Sequence, residues 1–191
     1  MNPVYRILLF VIFAIVMALY DYLRYKRFTR TKEYAAAMLA GLIGGVYGGL
    51  NDIVTGTLSP EYFIYGKDIP VDHFTLFSAV KVGLIAGISG GCVLGIILIY
   101  LRSTWFPQCS MLRTIGQFWK PIACGILFSL IFPLCFNRFD PFNLLEYTEA
   151  FLNPDQQHGF ITVWWEHTGV YTGALAGSVW AVLSLRKRSL L

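Results

Sequence analysis

The sequence predicts an all-α integral membrane protein, a bundle of five transmembrane helices in a single domain spanning 1–191. Three observations carry that reading. Charged residues make up only 14% of the 191-residue chain and hydrophobic ones 56%, where a soluble domain holds about 25% charged residues. Several apolar stretches approach the roughly 20 residues that cross a bilayer. Finally, glycines recur at every fourth position in three of those stretches: Gly41, Gly45 and Gly49; Gly83, Gly87, Gly91 and Gly95; Gly169, Gly173 and Gly177.

The spans are read at about 4–23, 34–54, 74–101, 116–136 and 161–185. Span 1 reads as a retained anchor. Its apolar run is long, and Tyr20, Asp21, Tyr22, Leu23 and Arg24 do not form a small-residue cleavage site. In spans 2, 3 and 5 residues four apart share one helical face, so each glycine run is a groove without side chains. Such grooves predict glycine-zipper packing of these three spans, with backbones drawn close together. Spans 2 and 3 also share a wording, Gly-Leu-Ile-x-Gly-x-x-Gly-Gly, at 41–49 and 83–91.

Charge orients the bundle. Arg24, Lys26, Arg27, Arg30 and Lys32 follow span 1, Arg102, Arg113 and Lys120 follow span 3, and Arg186, Lys187 and Arg188 follow span 5; these are eleven of the fifteen basic residues. Their side is expected to be cytoplasmic. Nine of the eleven acids lie on the other side: Asp52, Glu61, Asp68, Asp72, Asp140, Glu146, Glu149, Asp155 and Glu166. The expected topology is N-terminus outside and C-terminus inside, in a bacterial cytoplasmic membrane. The basic residues flank spans instead of forming one face, which argues against a nucleic-acid partner. Membrane lipid is the expected partner, with a second copy of the chain or a membrane complex as alternatives. The four cysteines include no CxxC, and Cys124 and Cys135 lie about 16 Å apart on one helix, so no disulfide framework or zinc knuckle is expected.

Two long connections face outward. The first, roughly 55–73, contains Pro60 and Pro70, which oppose a continuous helix. The second, roughly 137–160, contains a short amphipathic helix at about 143–152. Asn143 is its N-cap with Glu146 three residues on, Leu144, Leu145, Thr148, Phe151 and Leu152 form its apolar face, and Asn153-Pro154 ends it. It is expected along the membrane interface, with a lid as the alternative.

Ionisable groups within spans are costly, at roughly 2.5–3.5 kcal/mol on insertion scales, and point to function. Asp52, Lys81, Glu166 and His167 fall in or at the ends of spans, and Glu61 and His73 fall in the adjoining loop. Asp52 returns to within about 20° of the Gly41 direction. Glu166 lies about 60° from Gly169, Lys81 about 160° from Gly83, and His167 roughly opposite the groove of its own helix. Carboxylates and imidazoles are acid–base groups and ligands of divalent metals. The candidate catalytic set is Asp52, Glu61, His73, Glu166 and His167, with Lys81 as electrostatic partner. Asp52, Glu61, His73 and His167 form the candidate ligand set for a divalent metal ion. For each group the plainer reading is structural: a cap for Asp52, charge neutralisation for Lys81, headgroup-level solvation for Glu166 and His167 beside Trp164-Trp165.

The run Asp52-x-x-Thr55-x-x-x-Ser59-Pro60-Glu61-Tyr62-Phe63 resembles the first outer loop of uncharacterised bacterial multi-pass membrane proteins, in which His73 also has a counterpart. The resemblance covers about twelve residues. It implies that Asp52, Thr55, Glu61 and His73 act together, and it implies no reaction. Three functions follow from these readings: an acid–base or metal-dependent enzyme acting on a lipid-phase substrate, a small channel or ion-coupled transporter, or a structural subunit of a membrane complex.

Overall fold

The structure is a computed structural model that describes residue 12 and residues 15–24 and 30–189. The described residues are helical with no strand: α1 (15–24), α2 (Thr31–Leu58), α3 (Pro60–Gly66), a 3-10 turn (Val71–His73), α4 (Leu76–Trp105), α5 (Met111–Ile115), α6 (Trp119–Phe136), α7 (Leu144–Glu149) and α8 (Pro154–Ser189). Among them, four stretches are long and apolar enough to cross a membrane: Thr31–Leu58, Leu76–Trp105, Met111–Phe136 and Pro154–Arg186. Half of expected span 1 lies outside the described residues.

Local chemistry sets the boundaries. Ser59 ends α2 and caps α3, accepting a hydrogen bond from the Tyr62 amide with Pro60 at the first helical position. Thr75 and Ser78 close a reciprocal capping box at the start of α4. Asn153 and Gln156 do the same for α8: the Gln156 amide donates to Asn153 Oδ1 at 3.0 Å and the Asn153 amide to Gln156 Oε1 at 3.3 Å. Asn153-Pro154 therefore begins a helix seven residues before the expected start of span 5, with proline in its favoured first position. The short helix before it is also corrected. It runs only over Leu144–Glu149, and Asn143, left-handed at φ 52°, caps nothing with its side chain. Asp140 takes that role, its carboxylate accepting from the Leu144 and Leu145 amides at 2.8 and 2.9 Å. Leu144, Thr148 and Leu152 are buried, so α7 packs onto the protein through that side.

The glycines pair helices two by two. A Cβ at Gly44 or Gly87 would collide with the other's carbonyl oxygen, one at Gly48 or Gly83 likewise, and one at Gly91 would strike the Ala40 carbonyl. The repeated wording thus lies on the two facing sides of one antiparallel hairpin, α2–α4. Cβ atoms at Gly169, Gly173 and Gly177 would strike the carbonyls of Phe128, Cys124 and Lys120, which makes α6–α8 the second hairpin. Spans 2, 3 and 5 are therefore not one packed trio: span 5 spends its groove on span 4. The contact face of α2 also runs through Gly44 and Gly48, because Gly49 has only loose neighbours beyond 3.6 Å.

The hairpins are joined at both ends. At the end carrying the acidic loops, Tyr62, Phe63, Ala79, Leu144, Leu152, Phe160, Ile161, Val163 and Trp165 form a buried cluster. At the basic end Ala40, Leu98, Phe106, Cys109, Phe118, Ala181 and Leu185 form another, and Arg102 donates to the Cys109 carbonyl at 2.8 Å while facing Glu33 at 3.9 Å. Between the clusters the hairpins separate and leave a cleft.

One residue on α4 is a built-in control for the packing. Gly90 faces open space, with no atom within 4 Å of an added Cβ. Gly87→Leu should lower thermal stability in detergent by at least the roughly 1–3 kcal/mol typical of overpacking, since its neighbour is backbone and cannot turn aside. Gly90→Leu should stay within about 0.5 kcal/mol of the parent. Equal midpoints for the two variants, read by thermal unfolding of the purified protein, would contradict the pairing.

Candidate functional site

The cleft has a volume of about 510 Å³ and is partly open. Its walls are mostly the small and apolar residues of α2, α4, α6 and α8. At the acidic end the lining changes: Tyr47, Asn51, Asp52, Lys67, His167 and Tyr171 all face it.

His167 organises this head. Nε2 lies 3.1 Å from Asp52 Oδ1 on α2, and Nδ1 lies 3.0 Å from both Glu166 Oε2 and the Val163 carbonyl of its own helix. Asn51 donates to Glu166 Oε2 at 3.3 Å. Asp52 is 3% exposed and His167 6%. Every oxygen around Nδ1 is an acceptor there, so that nitrogen carries a hydrogen. A second proton lies between Nε2 and Asp52, on the ring as imidazolium or on the carboxyl group. Tyr62 stacks on the imidazole with ring centroids 4.7 Å apart, and Phe63 meets it edge-on at 6.2 Å. Gly83 makes room on the other side: a Cβ there would come within 2.6 Å of the Asp52 carboxylate.

Lys67 completes the head. Its ammonium sits 5.1 Å from the Tyr62 ring centroid, a cation–π contact. Burial pulls its pKa below the ordinary lysine value, and the Asp52 carboxylate opposes that shift. The Tyr62 phenol is pushed upward, first by burial and then by Tyr171, Asp52 and Glu166. Tyr47 presents a buried hydroxyl without a hydrogen-bond partner.

The expected residues thus divide. Asp52, Glu166 and His167 meet. Glu61 does not join them: it accepts from Ser59 Oγ and Gln156 Nε2, both at 3.1 Å, and so fastens α3 to the start of α8. His73 stands on the 3-10 turn with its side chain 74% exposed, 3.6 Å from Asp72. Lys81 is exposed on α4, consistent with its phase away from the glycine face, and partners none of the three. Thr55 is buried and donates to the Asn51 carbonyl at 3.2 Å, a bond within its own helix. The ligand set Asp52, Glu61, His73 and His167 is therefore not assembled, because Glu61 is turned to the start of α8 and His73 to the exterior. Both nitrogens of His167 already face acceptors. Among the described residues no group of three or more His, Cys, Asp or Glu side chains is arranged to hold a metal.

Sequence reasoning missed Lys67, Tyr62, Tyr47 and Asn51. Lys67 had one signal, as the sole basic residue between 55 and 73. No family model matches the chain, and no curated protein or solved structure does either.

The lone Tyr47 hydroxyl yields a direct expectation. Leaving a buried donor unsatisfied costs about 1–3 kcal/mol, so Tyr47→Phe should raise the thermal stability of delipidated protein. A fall in the unfolding midpoint would show that the hydroxyl has a partner.

Proposed function

We propose that the chain is a multi-pass protein of the bacterial cytoplasmic membrane, acidic end outward, that admits an amphiphile from the lipid phase into the cleft and performs acid–base chemistry on its polar end. One observation carries this reading: the buried Asp52–His167–Glu166 cluster stands at the head of a half-open apolar cleft. A buried imidazole sharing a proton with a carboxylate is a proton donor and acceptor in a low-dielectric setting, where such groups act most strongly. In this reading His167 and Asp52 pass the proton, Glu166 fixes Nδ1 and the ring orientation, and Asn51 holds Glu166. Glu61 keeps α3 seated so that Tyr62 covers the imidazole.

The alternatives have less support. A proton or ion relay needs ionisable groups to continue toward the basic end, yet there the cleft lining offers only the Ser89 and Ser178 hydroxyls among apolar residues. A packing subunit would present its glycine faces to partners, whereas α2 and α4 turn theirs to each other and α8 turns its own to α6.

Purified protein incubated with a total bacterial lipid extract, followed by mass spectrometry of the lipids, tests the proposal. Wild-type protein should convert at least one amphiphilic species about tenfold faster than His167→Gln or Asp52→Asn. Asp52→Asn keeps size and hydrogen-bonding capacity while losing the charge, and its unfolding midpoint verifies that the fold is intact. Lipid profiles identical for wild type and a folded Asp52→Asn protein would contradict acid–base chemistry at this cluster.

A further inference from the structure

Resting on that reading, we infer that the head of the cleft selects an amphiphile with an anionic head group, and that Lys67 is the residue that binds the anion. Lys67 is the only lysine or arginine among the cleft-lining residues. It is half-buried, its ammonium lies over the Tyr62 ring, and among the described residues it forms no ion pair. The two nearby carboxylates already have partners, Asp52 Oδ1 in His167 and Glu166 Oε2 in His167 and Asn51, and neither forms an ion pair with Lys67. A cation kept partly out of water without a carboxylate partner is an incomplete pair, and an anionic head group completes it. Asp52 and His167 line the same cleft as Lys67, so an anion seated on Lys67 occupies the space that they border.

The length of the cleft fits an alkyl tail. The α4 wall from Val82 to Leu98 extends about 24 Å at 1.5 Å per residue. This exceeds half of a hydrocarbon core about 30 Å thick, so the cleft takes an extended chain reaching past the bilayer midplane. Gly90 lines this run and leaves it unobstructed.

The test is native mass spectrometry of the detergent-solubilised full chain with two probes sharing one tail, oleoyl lysophosphatidic acid and uncharged monooleoylglycerol. Wild type should prefer the anionic probe about tenfold, equivalent to about 1.4 kcal/mol. Lys67→Gln should bind both probes equally, at the wild-type level for the neutral one, and Lys67→Arg should restore most of the preference. Gly90→Leu should weaken both. In wild type the preference should fall as the pH rises and the Lys67 ammonium, facing Asp52 and Tyr62, loses its proton. This readout needs no variant. Inorganic phosphate should leave the anionic probe bound; its displacement would identify a site for a soluble anion and overturn the inference. Equal binding of the two probes by wild type, or a preference that survives in Lys67→Gln, would also overturn it while leaving the cleft reading intact. Probe binding unaffected by Gly90→Leu would remove the cleft reading itself.

Discussion

A histidine buried between two carboxylates, one on each hairpin, is the constraint on which the acidic end depends. Taking an ion from water into an apolar interior costs several kcal/mol. Here that cost falls on three neighbouring groups, Asp52, Glu166 and His167, and is offset only because they contact one another at 3.0–3.1 Å and Asn51 supplies a further donor. Losing one member leaves the others buried and unpaired, a change that typically costs about 3–5 kcal/mol. The aromatic side chains of Tyr62 and Phe63 keep the cluster dry from above, and they are held by Ser59, Pro60 and the Glu61–Gln156 hydrogen bond. The loop, the short helix and the two hairpins therefore share one arrangement.

The cleft follows from where the glycines are used. Within each hairpin, backbone meets backbone, so little side-chain volume remains to fill the space between hairpins. The clusters around Phe160 and around Phe118 close the two ends, and the middle stays open. An apolar cleft with a polar head is then a product of close pairing within hairpins, and its polarity gradient matches an amphiphile.

The sequence revealed the helices well, because hydropathy and caps are local. It also revealed the phases. The phase puts Asp52 near the glycine side of α2, and its carboxylate lies over Gly83 of α4. The phase puts His167 opposite the groove of its own helix, and the ring points toward Asp52 of α2. What the phase could not provide was the partner of each groove: the α8 glycines fit any close neighbour, and only the tertiary fold assigns them to α6. Loop residues were less legible. Glu61, His73 and Lys67 lie within thirteen positions of one another, yet one pins a helix start, one faces outward and one enters the cleft. Their directions depend on how α3 folds back on α8, which no periodicity encodes. Asn-Pro punctuates both kinds of boundary, so Asn153-Pro154 reads as the end of the short helix although it starts α8.

The account is tested most directly by a double-mutant cycle on Asp52 and His167, with Asp52→Ala, His167→Ala and the double variant compared by thermal unfolding in one detergent. A buried, charge-assisted contact across the two hairpins predicts a coupling energy of about 1.5–3 kcal/mol. Additivity within about 0.5 kcal/mol would mean that the two side chains do not depend on each other, and the shared proton at the head of the cleft would have to be abandoned.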